Sequence, residues 1–309
     1  MSLALLFPGQ GAQHAAMLPW LWAQPAAAPA LQSLSAVLGS GWQARLADAD
    51  WLHANAVAQP LLTGLCLAAW RVLAPQLPAP VAVAGYSVGE LAAFAAAGVF
   101  DDAAAVPLAA ARAQAMDAAA AGRPAGLLAV QGPQANARVM ALAQPGSDLA
   151  IAIRISPERV IVGGPLAALE AGAADWSAAG LRCSRLPIGV ASHTPAMAPA
   201  AAAFAAQLAH AQLRHARVPV VCNFTGAAGR TPAVLAPALS GQIASTVRWD
   251  DCMDTLAERQ PRCVLEVGPG AALAAMWRER HPGIPARSID EFSGVEGVVR
   301  WVEGVGGVN

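Results

Sequence analysis

Val81-Ala82-Val83-Ala84-Gly85-Tyr86-Ser87-Val88-Gly89-Glu90 decides the fold. Val81–Ala84 is a short apolar run that follows the punctuation of Pro75, Pro78 and Pro80, and it reads as a buried strand. The alanine-rich stretch from Leu91 to Ala97, ended by Gly98, reads as a helix. Between them stands G-x-S-x-G. A strand that turns into a helix within five residues brings the chain so close to itself that side chains at Gly85 and Gly89 would collide. The turn then offers the Ser87 hydroxyl at the end of the strand and aims the free N–H groups of the helix start, beginning with Val88, at the same point. Glu90 lies in the first helical turn, where an acidic side chain favours the helix dipole.

Working outward, Ser2–Phe7 reads as a second buried strand, stopped by Pro8 and Gly9 at the head of the loop Phe7-Pro8-Gly9-Gln10-Gly11-Ala12-Gln13. Helical patterns follow at Leu31–Leu38 and Pro60–Leu73. Asp101 or Asp102 caps a further helix that carries Arg112, Gln114 and Met116. From Gly122 to Gly189 the pattern changes. Strands at Gly126–Val130, Leu149–Ile155, Arg159–Val162 and Cys183–Ile188 alternate with helices at Gln134–Ala143 and Leu166–Ala179. This βαββαβ order is that of a ferredoxin-like unit. Pro219–Asn223 and Cys263–Val267 supply more parallel strands. The expected architecture is α/β: an α/β-hydrolase-like domain with a parallel sheet, from residues 1–122 and 189–309, interrupted by a small ferredoxin-like domain over 123–188.

Composition narrows the function. The 309 residues carry 19 basic and 20 acidic side chains, a net charge of −1, so neither nucleic acid nor an anionic membrane is expected as a partner. The uncharged stretch Leu186–Ala209 is broken by three prolines, Ser192, His193 and Thr194, and fails as a membrane span. The first basic residue is Arg45, which argues against a secretory signal, and five cysteines without CxxC pairing fit a reducing cytoplasm. Every basic residue is arginine, which removes Schiff-base and P-loop lysine chemistry. No HExxH or carboxylate cluster argues for a metal.

A serine hydroxyl needs a base. Of six histidines, His210 and His215 fall on a polar helical stretch, His53 and His281 in polar segments, and His14 beside the N-terminal glycine loop. His193, in Ala191-Ser192-His193-Thr194-Pro195, lies where the chain returns from the inserted unit, a position suited to a catalytic group or to a structural loop histidine. Asn223 and Gln242 are candidate pocket residues or satisfied structural amides, and Met116 and Met197 pocket or core.

Leu5–Gln13 (LLFPGQGAQ), GYSVGE around Ser87, Arg112, Ala191–Met197 (ASHTPAM) and Cys263–Gly270 (CVLEVGPG) stand in the order seen in malonyl-CoA:acyl carrier protein transacylases, which the chain resembles over nearly its whole length. The resemblance implies that Ser87 attacks the malonyl thioester and His193 carries the proton. It implies an oxyanion held by the backbone N–H groups of Gln10 and Val88, and a His193 ring oriented by a backbone carbonyl near Arg248. It assigns Arg112 to the malonyl carboxylate, for which a guanidinium is the natural fork; such a pair contributes about 1.5–3 kcal/mol. Malonyl-CoA is then the donor, the pantetheine-type arm of an acyl carrier protein the acceptor, and no permanently bound cofactor is expected. The usual family elbow is GHSLGE. Tyr86 and Val88 make this one more similar to the malonyl-transfer (epsilon) subunit of malonate decarboxylase, whose acceptor arm is the phosphoribosyl-dephospho-CoA group of its acyl carrier subunit. Transacylases of fatty acid or polyketide synthesis share the chemistry. A serine esterase would need an acidic partner before His193, and Asp148 and Asp175 fall in the insert; a non-catalytic subunit docking a carrier protein would form no acyl-serine.

Overall fold

A computed structural model describes residues 2–142, 146 and 148–306. Strands β1 (Leu3–Phe7) and β2 (Pro80–Gly85) lie side by side in parallel, as the apolar runs predict. The stretch read from sequence as an insert, 123–188, supplies β3 (Ala125–Gln131), β4 (Ala150–Ser156), β5 (Arg159–Pro165) and β6 (Arg182–Arg185). Beyond it come β7 (Val220–Val221), β8 (Ala228–Gly229), β9 (Val247–Arg248), β10 (Cys263–Glu266) and β11 (Ala286–Ser288). One sheet runs in the order β11-β10-β1-β2-β7-β8 and is parallel except for β8; the other runs β6-β3-β5-β4-β9. The fold is α/β with two sheets.

The first sheet is covered on both faces, and the period-two alternation of strand side chains divides the core accordingly. Leu3, Leu5 and Phe7 point to the side packed by the Asn55–Leu73 helix, while Ala4 and Leu6 face a second cluster with Trp249, Trp277 and Ile153 of the insert. The Asn55–Leu73 helix is long and apolar enough to cross a membrane, but it is buried inside the protein, which explains an apolar surface all round.

Several boundaries differ from expectation for identifiable reasons. The last insert strand stops at Arg185 rather than Ile188 because Pro187 has no N–H to offer the ladder. The strand expected over Pro219–Asn223 keeps only Val220–Val221, and Asn223 turns away to serve the elbow. The helix expected over Gln134–Ala143 spans Ala135–Leu142, and Ala143 lies outside the described residues. Asp101 occupies the N-cap of the Asp102–Ala120 helix without making a capping bond. The insert's sheet is also not self-contained: β9, from beyond the insert, pairs in parallel with β4. That seam is reinforced by Arg154, whose Nη2 lies 3.1 Å from Asp250 Oδ1 and 2.6 Å from Asp251 Oδ2.

Candidate active site

The elbow forms where β2 meets the Gly89–Ala96 helix. A Cβ at Gly85 would lie 2.1 Å from the Glu90 nitrogen, and one at Gly89 would lie 2.2 Å from the Phe7 carbonyl oxygen, so neither position accepts a side chain. Ser87 sits between them at φ +55°, in the left-handed region that a non-glycine residue occupies only when its surroundings hold it there. Asn223 does part of the holding. Its side-chain oxygen accepts the Ser87 N–H at 2.8 Å, and its amide donates to the Gly85 carbonyl at 2.7 Å. The Gly89 and Glu90 N–H groups go to the Tyr86 and Ser87 carbonyls. The N–H groups of Val88 and Gln10 have no protein acceptor among the described residues.

Ser87 Oγ and His193 Nε2 are 2.8 Å apart, although 106 positions separate them in the chain. His193 has φ +63° and is 2% exposed, and its N–H donates to the Ile243 carbonyl at 2.9 Å. Its Nδ1 is 2.6 Å from the Gln242 carbonyl oxygen. Here the structure corrects the sequence reading: Arg248 lies in β9 and its N–H bonds Asn223, so the carbonyl facing the ring is that of Gln242, in the turn Gln242–Ala244. A carbonyl can only accept. Nδ1 therefore carries the hydrogen, and Nε2 offers its lone pair to the serine. Burial, and after it the charge of Arg112, pushes the imidazole down to about 3, against the weaker opposing effect of the Gln242 bond. The ring is neutral at physiological pH.

Arg112 reaches the same point from the Asp102–Ala120 helix and is 1% exposed. Nη1 donates to Gln59 Oε1 at 2.6 Å, and Nη2 lies 3.4 Å from both Ser87 Oγ and Gln242 Oε1. Its Nε has no partner, and among the described residues no carboxylate forms an ion pair with it. Burial lowers its value to about 10, with Glu90 opposing, and the guanidinium remains charged. A buried cation without a counter-ion is costly.

Gln10, Ser87, Arg112, Met116 and His193 line one small cavity, together with Gln59 and Tyr86, and Leu127, Ile153 and Ile188 form a wall from the insert side. Met197 does not line it. It ends the Pro195–Met197 turn that leads into the Ala198–His210 helix, and falls into the large core. Asn223 and Gln242 also stand behind the cavity rather than in its lining, where they brace Ser87 and Arg112. His14 is drawn away to Asp290, 2.6 Å distant. Sequence reasoning missed Gln59, a polar residue inside the apolar run from Val57 to Leu62; an amide that cannot reach water there has to serve a buried partner.

Fold and site together define an acyl transferase: residues 4–286 match the acyl transferase domain family. A malonyl CoA-acyl carrier protein transacylase of Mycobacterium tuberculosis is 36% identical over 292 residues, covering 93% of this chain and 96% of that protein. The crystal structure of malonyl-CoA:acyl carrier protein transacylase from Xanthomonas oryzae superimposes with a TM-score of 0.91 at 29% identity, over 97% of this chain and 99% of that one. A malonyl-transacylase solved in complex with a type II polyketide synthase acyl-carrier protein gives a TM-score of 0.91 at 27% identity, over 98% of this chain and all of that one. The chain belongs to the malonyl-CoA–acyl carrier protein transacylase family of acyl transferase domains.

Proposed function

We propose that this protein moves malonyl from the thiol of CoA to the thiol arm of an acyl carrier protein, through a malonyl ester on Ser87. The observation that carries this is the convergence of Ser87 Oγ, His193 Nε2 and an unpaired, buried Arg112 on one cavity, within the reach of a single small acyl group. Arg112 takes the free carboxylate in two charge-assisted bonds and so sets the thioester carbonyl against Ser87. As Oγ attacks, its proton passes to Nε2 and the carbonyl oxygen becomes an oxyanion. The N–H groups of Val88 and Gln10 receive that charge. Collapse breaks the C–S bond, and His193 returns the proton to the departing CoA sulfur. The carrier thiol then gives its proton to His193, attacks the ester and releases Ser87 with its hydrogen restored. The apolar wall of Leu127, Ile153 and Ile188 disfavours water as a competing acceptor.

In architecture we read the first sheet with its helices, 1–122 and 189–309, as an α/β-hydrolase-like domain, and 123–188 as a ferredoxin-like insert. The observed insert order β6-β3-β5-β4 supports the latter.

The relatives favour a carrier protein of fatty acid or polyketide synthesis as acceptor. The malonate decarboxylase reading rests on Tyr86 and Val88 alone, and Tyr86 is explained locally: it packs half-buried and edge-on against Trp249, with ring centroids 5.1 Å apart. Offering malonyl-CoA and two purified carriers, one with a phosphopantetheine arm and one with a phosphoribosyl-dephospho-CoA arm, separates the two. We expect preferential loading of the first, and preference for the second reverses the assignment. Intact-mass analysis after mixing with malonyl-CoA tests the shared chemistry: one malonyl adduct, absent in Ser87→Ala.

A further inference from the structure

Glu90 is wholly buried, yet it makes no ion pair among the described residues. The dipole role that its position suggests does not describe its contacts. Its Oε1 accepts the backbone N–H of Asn223 at 2.6 Å, and its Oε2 has no partner. Burial raises the carboxyl to about 8, against the lowering effects of the Asn223 bond and of Arg112. Asn223 is the residue whose side chain grips both sides of the elbow, at the Gly85 carbonyl and the Ser87 N–H, and its own carbonyl accepts the Arg248 N–H at 3.0 Å. Glu90 itself begins one helical step beyond the elbow, its N–H on the Ser87 carbonyl at 3.1 Å. The bonds therefore close a ring: Ser87 to Glu90 through the backbone, Glu90 to Asn223 through the carboxyl, and Asn223 back to Ser87 through the amide.

A left-handed serine returns to ordinary backbone geometry unless something opposes it, and an error of about 1 Å at a nucleophile costs on the order of a hundredfold in rate. We infer that Glu90 is a positioning residue: by fixing the Asn223 backbone, it locks Ser87 in the left-handed conformation that brings Oγ within 2.8 Å of His193 Nε2. The carboxyl touches no reacting atom. Its requirement is an acceptor oxygen at the right reach, which glutamine supplies. Aspartate, one methylene shorter, does not.

The inference rests on Ser87 being the acylated residue, and the test separates the two. Single-turnover acylation by malonyl-CoA is followed in wild type, Glu90→Gln, Glu90→Asp, Glu90→Ala and Ser87→Ala, reading the rate constant, the amplitude per mole of protein and the KM. Glu90→Gln is expected within about threefold of wild type. Glu90→Asp and Glu90→Ala are expected to lose about tenfold to a hundredfold in rate at full amplitude, with KM changed less than about twofold. A defect of folding alone would lower the amplitude and leave the rate constant of the surviving sites unchanged; that result overturns the inference, as does Glu90→Asp at the wild-type rate. If Glu90→Ala does not fold, the Gln and Asp pair decides. An adduct that persists in Ser87→Ala, or no adduct in wild type, instead overturns the proposed function.

Discussion

Two strands of the same sheet, β2 and β10, end beside a buried glutamate, and the two carboxyls are near twins. Glu90 and Glu266 are both fully buried, each has one oxygen without a partner, and burial raises each to about 8. They differ in where the other oxygen goes. Glu266 Oε2 accepts the Ala274 N–H at 2.8 Å, in the first turn of the Ala272–Arg280 helix that follows its own strand, so its bond serves that helix start alone. Glu90 reaches across to the loop after β7, and through Asn223 its bond returns to Ser87. A perturbed carboxyl therefore does not mark a catalytic site by itself. What it is wired to decides.

The largest effect that tests this contrast lies at the first turn. Ser87→Ala is expected to lower malonyl transfer about a thousandfold or more, with melting unchanged, read by carrier-protein loading. Substantial residual transfer would move the chemistry away from the β2 turn and dissolve the distinction. Next comes the cation that faces it. Arg112→Ala removes the proposed partner of the malonyl carboxylate, so kcat/KM for malonyl-CoA is expected to fall about tenfold to a hundredfold, and that for acetyl-CoA far less. Equal losses for the two donors would give Arg112 a structural role through Gln59 and Gln242.

The elbow and the order of elements between Ala125 and Arg185 were legible in the sequence because both are local patterns. Gly85, Ser87 and Gly89 declare the turn by spacing, and the alternation from Gly126 to Cys183 declares the βαββαβ order. What escaped was the wiring. That His193 leans on the Gln242 carbonyl rather than that of Arg248 depends on how the Gln242–Ala244 turn sits against the loop after the insert, and no periodicity encodes this. Gln59 joins the site from a helix beginning at Asn55, and Glu90 looked like any acidic residue at a helix start. A two-residue strand such as β9 carries too little pattern to be seen, yet it pairs with β4 and so ties the second sheet to the chain beyond residue 188.

A smaller effect concerns pH. His193 is pushed from 6.5 to about 3, so the base stays unprotonated through the range in which an exposed histidine titrates. The rate constant for acylation of Ser87 is expected to show no inflection near 6.5, measured by single-turnover mass analysis from about pH 5 to about pH 8. A loss of rate centred near 6.5 would mean that the imidazole acts from a solvated position, not from behind the Gln242 carbonyl.

The smallest effect, and the one that isolates the twin carboxyls, is on stability. For Glu266 the ordinary value of 4.5 is raised to about 8 in the folded chain, chiefly by burial and against the opposing N–H bonds of Ala274 and Leu273. Between those values the folded state holds a proton that the unfolded state has released, so this group's contribution is fully present below 4.5 and is lost as pH rises through 8. The slope for one such group is at most about 1.4 kcal/mol per pH unit. Glu266→Gln keeps an acceptor for Ala274 and removes the titration, so its stability, read from urea unfolding midpoints at intervals of pH, is expected to decline less steeply than that of wild type over this window. Glu90→Gln flattens the same curve by the same sign. The twins part only when the side chain is shortened: Glu266→Asp is expected to leave acylation within about twofold, because its bond ends at Ala274 and does not return to Ser87, whereas Glu90→Asp slows it. If both shortened variants slow acylation equally, position relative to the elbow does not matter, and the contrast between the two turns fails.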